Sequence, residues 1–441
     1  MSAGGGDRRA EELEQLMTDR AAAFPGSDTS PYLDDVRAEL KRVSDWLVDE
    51  QTDEGLWPEN RINLRFYSDA YGVRALLAAW HLFGDDRYLD AACAWVRYMV
   101  KTQRADGGWW VGYGIGDHDW DDPDCDHSVV YVADAGEVSL ALVDAWHFLD
   151  GTGADAELAD DVKRALLRFR NFTDHFRLRS GAMGLGYTRR DFWSSERVER
   201  PYMQAHHQTY PFATAATGAN FYAGLSTVTE DPDDWEKAMQ SLDWCLEHMG
   251  ATARQGNTVQ SNDNRDIIAL HRVGDWVFDC STAPRDEAAP TDGTPEPRYA
   301  DSERQKLYAV WKWMMHVVAD MQSDLGEWPV KRNNKPLMCY DGSMRHRMFF
   351  LYSLTSYLQN GSPVPDEDDR LREARDRQLW LCAEPTILHE HYGVCMSGVH
   401  VMTSGLWTMA LAEMVQPGIT LPRSIRRLTA QAQDAGPTQA G

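Results

Sequence analysis

Apolar positions recur at helical spacing along most of this chain. Between Ala133 and Asp150, Val138, Leu142, Ala145 and Leu149 fall three or four residues apart, and Gly151 follows as a stop signal. Between Ser302 and Gln322, Leu307, Val310, Trp311, Met314, Met315 and Val318 form one apolar stripe. The same reading predicts helices over 35–50, 68–83, 87–103, 134–149, 158–175, 211–228, 233–249, 265–275, 303–322, 342–359, 369–383 and 399–414. Short strands are expected near 182–188 and 277–279. Twelve helices pair into six hairpins. The longer loops 110–126 and 281–299 do not read as linkers, because the helical rhythm is the same on both sides. The expected organisation is one all-α domain over 31–420, after a loosely ordered arm (1–30) and before a tail (421–441).

One string punctuates this pattern three times. Gln-x-x-x-Gly-x-Trp occurs as Gln51–Gly55–Trp57, Gln103–Gly107–Trp109 and Gln322–Gly326–Trp328, each after a helical stretch. The side-chain amide of Gln can bond backbone groups at helix ends, Gly allows a turn that other residues resist, and Trp covers it. These residues read as scaffold, and the chemistry is sought in the loops after them.

The first copy is preceded by Trp46-Leu47 and the second by Tyr98-Met99. Both resemble the repeat of the terpenoid cyclase and prenyltransferase α/α toroids, in which an aromatic and an aliphatic residue precede the Gln. The third copy has Val317-Val318 there and departs at the aromatic position. A looser form of the pattern also occurs in six-hairpin glycosidases and toroidal polysaccharide lyases. The resemblance implies an (α/α)6 toroid over roughly 300 residues, and it does not select a reaction.

Composition narrows the partners. The chain has 441 residues, 43% of them hydrophobic, and a net charge of −25. So acidic a chain repels nucleic acid and anionic membranes. No run of about 20 apolar residues predicts membrane insertion, and no signal-peptide core follows the N-terminus. The seven cysteines (93, 125, 245, 280, 339, 382, 395) are scattered without a Cys-x-x-Cys pair, which favours a cytoplasmic location. No Gly-Lys-Ser/Thr phosphate loop, Gly-x-Ser-x-Gly elbow or His-Glu-x-x-His is present. Neither a cofactor nor a metal is expected.

Four polar groups can carry chemistry. Asp117 to His127 is the densest acidic cluster, and Asp119-Trp120-Asp121-Asp122 matches the Asp-x-Asp-Asp string of class II terpenoid cyclases. That resemblance implies Asp121 as the acid that protonates an alkene or epoxide. Such an acid needs an apolar pocket, whereas six acidic groups crowd this stretch. An acid/base or sugar-binding loop, a solvated loop and a hard-cation site are the other readings. His206, His207 and Tyr210, with Asn220 and Tyr222 on the next helix, suit proton abstraction from a uronate or ordinary sugar hydrogen bonding. A helix-entry histidine pair is the bland alternative. Asp341 reads as an N-cap, with Arg345 and His346 behind it able to meet an anion. His389, Glu390, His391 and Tyr392, with Cys395 and His400, fit no zinc spacing. Asn262 and Asp263 precede the weakest helix.

The reading that joins these groups is a carbohydrate-active enzyme on an all-α (α/α)6 toroid, a glycoside hydrolase or a lyase acting on acidic sugars. Asp121, Asp122, His207 and Tyr210 are its candidate acid/base residues. Asp119, Trp120, His206, Asn220, Asn262, Asp263, Arg345, His346, His391 and Tyr392 are its candidate contacts to a small-molecule or oligosaccharide substrate. The alternatives are a cyclase-like enzyme acting through Asp121 and a non-catalytic toroid that binds a glycan or a partner.

Overall fold

The computed structural model describes residues 4–27, 35–58, 66–109, 129–184, 186–190, 197–202, 213–248, 276, 279–280, 301–328, 331–332, 335–336, 341–361, 368–394 and 401–434. Helices dominate, in two layers. The inner layer comprises α3 (Phe66–Phe83), α5 (Val132–Thr152), a π-helical segment (Thr214–Phe221) running into α7 (Tyr222–Thr229), α10 (Asp341–Asn360) and α12 (Val401–Val415). The outer layer comprises α2 (Val36–Asp49), α4 (Asp86–Thr102), α6 (Ala156–Asp174), α8 (Pro232–His248), α9 (Asp301–Asp320) and α11 (Asp369–Cys382).

Sequence explains the two layers. Every residue of α5 from Val132 to Leu149 is buried, as is every residue of α12 from Val401 to Glu413. A helix apolar on all sides belongs inside. By contrast, α4 buries one stripe, Tyr88, Ala91, Ala92, Trp95, Val96 and Met99, and gives its charges to solvent. Around the inner ring, α10 packs on α12, α12 on α3, α3 on α5, and α5 on the π-helical segment. Contact between α3 and α12 is close enough that a Cβ on Gly405 would meet the Tyr71 carbonyl carbon at 2.5 Å.

Outer helices lead into inner ones through the repeated turn. In all three copies the Gln amide donates twice: Gln51 to Gly55 O (2.8 Å) and Ala91 O (3.0 Å), Gln103 to Gly107 O (2.8 Å) and Ala165 O (2.9 Å), Gln322 to Gly326 O (2.9 Å) and Ala374 O (2.7 Å). The second acceptor always lies on the next outer helix. The Trp indole donates back to the helix just left, as from Trp109 to Met99 O at 2.9 Å. Gly55, Gly107 and Gly326 have φ of +86°, +97° and +80°, where a side chain is strained.

The structure shows a fourth copy that the string does not reveal. Arg177 replaces the Gln and Met183 the Trp, while Gly181 keeps a φ of +87°. Arg177 donates to Lys237 O (2.8 Å) on α8, the next outer helix.

Several elements differ from expectation. The arm contains α1 (Gly4–Ala22), which buries Met17 and docks on α11: Arg20 Nε donates to Trp380 O (3.1 Å) and the guanidinium lies 3.5 Å from the indole centroid. The tail contains α13 (Pro422–Asp434), which buries Ile425 and packs on α5. Both helices are charged with only a short apolar stripe, so their burial depends on partners distant in sequence. Strands β1 (Val129–Tyr131), β2 (Gly186–Arg190) and β3 (Arg197–Tyr202) form a small antiparallel sheet, and β4 (Lys331–Arg332) pairs with β5 (Lys335–Pro336). Asp279, expected in a strand, is helical. The expected helix over 265–275 lies outside the described residues. Among the described residues no helix is long and apolar enough to cross a membrane.

Candidate active site

Helices α3 and α5 meet inside the ring at two rungs. At the upper rung the Tyr71 hydroxyl donates a short hydrogen bond to Glu137, and the Tyr71 ring packs edge-on against Phe349 of α10 at 5.1 Å. At the lower rung Arg74 Nε donates to Asp144 Oδ2 at 2.6 Å. Tyr71 and Arg74 are three residues apart, and Glu137 and Asp144 seven, so each pair shares one helix face. The same phase places Tyr67 above Tyr71 and Asp134 above Glu137.

Asp134, Glu137 and Asp144 are all buried, as are Tyr71 and Arg74 across from them. Polar groups surround the lower rung. Arg74 also donates to Thr420 O (3.0 Å), and its guanidinium lies 4.9 Å from the Trp276 ring centroid. Glu413 accepts from the backbone N–H of Gly418 (2.7 Å) and Thr420 (2.8 Å). Asp279 accepts from Arg423 N (2.7 Å) and Ser424 Oγ (2.8 Å). Burial pushes Asp144 up to about 7 despite Arg74, with Asp279 and Glu413 adding to the rise. Burial likewise pushes Asp279 up to about 6.

A second polar group stands at the rim. Glu327, the residue between Gly326 and Trp328 in the third turn, lies 2.8 Å from His391 Nε2 and accepts a short bond from Arg347 of α10. Tyr392 Oη donates to the same carboxylate at 3.4 Å. Burial opposes charge on Glu327, but the His391 hydrogen bond and the positive charge of Arg347 outweigh it and hold the carboxyl below its ordinary range.

Of the residues chosen from sequence, Asp119, Trp120, Asp121, Asp122, His206, His207, Tyr210, Asn262 and Asp263 lie outside the described residues. Arg345 and His346 fall in the first turns of α10, and their side chains also lie outside them. Asn220 is buried in the π-helical segment, where its backbone oxygen accepts from Trp276 Nε1 at 3.0 Å. His391 is part of the rim group. Tyr392 was expected to contact substrate, but it is fully buried and braces Glu327. Among the described residues no group of three or more His, Cys, Asp or Glu is placed to hold a metal.

The sequence reading passed over Tyr71, Asp134, Glu137 and Glu327. A usable signal existed, because three acids on one face of an otherwise apolar helix (Asp134, Glu137, Asp144) are costly to bury without a purpose.

Comparison with solved structures decides the fold. The α-mannanase BT2949 of Bacteroides thetaiotaomicron, a GH76 protein, matches with a TM-score of 0.51 at 11% identity, over 87% of this chain and 97% of that one. This chain is an α/α toroid. Cellobiose 2-epimerase from Spirochaeta thermophila matches the toroid at 0.51 and 13% identity, over 92% of this chain and 98% of its own. Dfg5 from Chaetomium thermophilum, solved with glucosamine, matches at 0.52 and 13% identity, over 88% and 91% of the two chains. No family model matches the toroid sequence. Copalyl diphosphate synthase from Streptomyces anulatus is 36% identical over 73 residues, which is 17% of this chain and 13% of that protein.

Proposed function

We propose that the toroid is a carbohydrate-active enzyme, a glycoside hydrolase or a related lyase, working at the rim where its inner helices begin. The observation that carries this reading is Glu137, a buried carboxylate bonded to Tyr71 on the inner face, with Asp134 one turn earlier on the same helix. Breaking a glycosidic bond calls for one carboxyl group as proton donor and another as nucleophile or base. Residues three apart on a helix hold their Cβ atoms about 5–6 Å apart, within the span of such a pair. Asp121 and Asp122 lie on the segment that leads to α5, and His207 and Tyr210 on the segment that leads to the π-helical turn. They are proposed partners of the same pair. The names of the structural neighbours, a mannanase, a cellobiose epimerase and a glucosamine complex, support a sugar ligand.

Turnover of a panel of neutral and uronate-containing oligosaccharides tests the proposal. New reducing ends would mark a hydrolase, and ultraviolet absorbance from an unsaturated product a lyase. Glu137→Gln should lower kcat on the active substrate by about 10²–10⁴-fold. Failure of every glycan both to bind in calorimetry and to react would sink the proposal.

A second reading has its own support. The copalyl diphosphate synthase match and the string Asp119–Asp122 favour a cyclase-like enzyme with Asp121 as acid. That chemistry wants an apolar chamber, whereas Asp134, Glu137 and the Arg74–Asp144 pair make the described interior strongly polar. Conversion of a polyprenyl diphosphate to a cyclic product, with loss of that conversion in Asp121→Asn, would establish it over the sugar reading.

A further inference from the structure

A ring needs one joint that the order of the chain does not supply, where its last hairpin meets its first. Here α12 packs on α2 and α3, and Trp407 Nε1 donates to Glu39 of α2 at 3.2 Å. The turn between α11 and α12 contains a second π-helical segment, Ile387–His391, and ends at Gly393, whose φ is +67°. His389 stands four residues before that Gly, the place held elsewhere by Gln51, Gln103, Arg177 and Gln322. A neutral imidazole has one N–H and cannot make the paired donation of a Gln amide. This joint therefore calls for a different fastening.

Helix α1 supplies one. It precedes α2 in the chain, yet it lies on α11 and on the second π-helical segment, so it crosses from the first hairpin to the last. Arg20 and Trp380 exchange hydrogen bonds, Nε to Trp380 O at 3.1 Å and Nε1 to Arg20 O at 2.8 Å. Arg377 of α11 lies 5.0 Å from the Phe24 ring centroid. Arg9 grips Glu390 with two N–H groups, at 3.0 and 2.6 Å. The apolar share is small: Met17 is buried, and Leu13, Leu16 and Ala21 are partly buried. A helix held by few apolar contacts and an exposed ion pair opens at far lower free energy than the core.

Its far end touches the rim. The two residues after Glu390 both meet Glu327, His391 through Nε2 at 2.8 Å and Tyr392 through Oη at 3.4 Å. Arg9 thus acts one residue away from the group that Arg347 joins at the start of α10.

We propose that α1 is a detachable strap across the closing joint of the ring, and that its hold on Glu390 sets the mobility of the segment carrying His391 and Tyr392. The strap has two states, docked and released, and anything that favours release is felt at the rim. This device is independent of the reaction that the toroid performs.

Hydrogen–deuterium exchange of the full chain, read by mass spectrometry, tests it. The Tyr392 amide is bonded to Ile387 O at 3.2 Å, so its exchange reports on the segment. Arg9→Glu should speed exchange over 387–392 about threefold or more, because an attraction becomes a repulsion. Adding Glu390→Arg to that variant should restore the slow rate. Arg20→Ala should speed exchange over both 8–22 and 387–392, while α5 keeps its wild-type protection. Release of α1 that leaves 387–392 unchanged overturns the proposal. So does a reversed pair that fails to restore protection. Faster exchange in α5 as well would make α1 an inseparable part of the core and would overturn the strap.

Discussion

The same two helices meet at two nearby rungs, and the two meetings have different characters. At the lower rung Arg74 and Asp144 form an ion pair enclosed by Trp276 and by the Thr420 backbone. At the upper rung a phenol bonds to a carboxylate, and both groups are buried. A buried ion pair adds little net stability over an apolar pair of equal size, yet losing one member is severe. The lower rung is therefore a lock with no spare partner. The upper rung holds its carboxylate with a neutral hydroxyl instead of a counter-charge. Neighbouring positions on one helix face thus differ in how their acids are held.

The sharpest way to break this comparison is to remove the lock. Arg74→Met should cost about 3–5 kcal/mol of stability in urea unfolding, because Asp144 is left buried without its counter-charge. Pairing it with Asp144→Leu should recover most of the loss. Equal stability of the single and double variants would deny the lock. At the upper rung Glu137→Gln should behave in reverse, with the large kcat loss already stated and a stability change below about 1.5 kcal/mol.

Proton linkage gives a subtler probe. Burial raises Asp279 to about 6, so the folded protein holds a proton that the unfolded chain releases. Its contribution is fully present below the usual carboxylate pKa, near 4, and is lost as pH rises through 6. Melting temperature should fall between about pH 4 and pH 7, and Asp279→Asn should flatten that slope. Glu327 has the opposite sign, and its contribution is lost only as pH falls below the usual carboxylate range. The smallest effect is expected from Tyr71→Phe. It keeps the packing on Phe349 and gives up the hydrogen bond to Glu137, a loss of about 0.5–1.5 kcal/mol in thermal unfolding.

Much of this fold was legible because inner and outer helices write different patterns. The uninterrupted apolar run of α5 and the single stripe of α4 each state their layer. Helices α1 and α13 were not legible, because Met17 and Ile425 matter only against surfaces supplied by residues far along the chain. The site was harder for a related reason. Charge clusters in loops, such as Asp117–His127, attract notice by density. Asp134 and Glu137 are single acids in apolar surroundings, and their meaning depends on Tyr71 of a neighbouring helix. The fourth turn was hidden because Arg177 performs the Gln role with a different side chain.

That turn completes a pattern in how neighbouring hairpins are held together. Gln51 reaches α4, Gln103 reaches α6, Arg177 reaches α8 and Gln322 reaches α11, each gripping the outer helix of the following hairpin and never the preceding one. The molecule therefore has a sense of rotation written in side chains. Each of these turns therefore ties its own hairpin to the next one along the chain, and the four grips run the same way around the described ring.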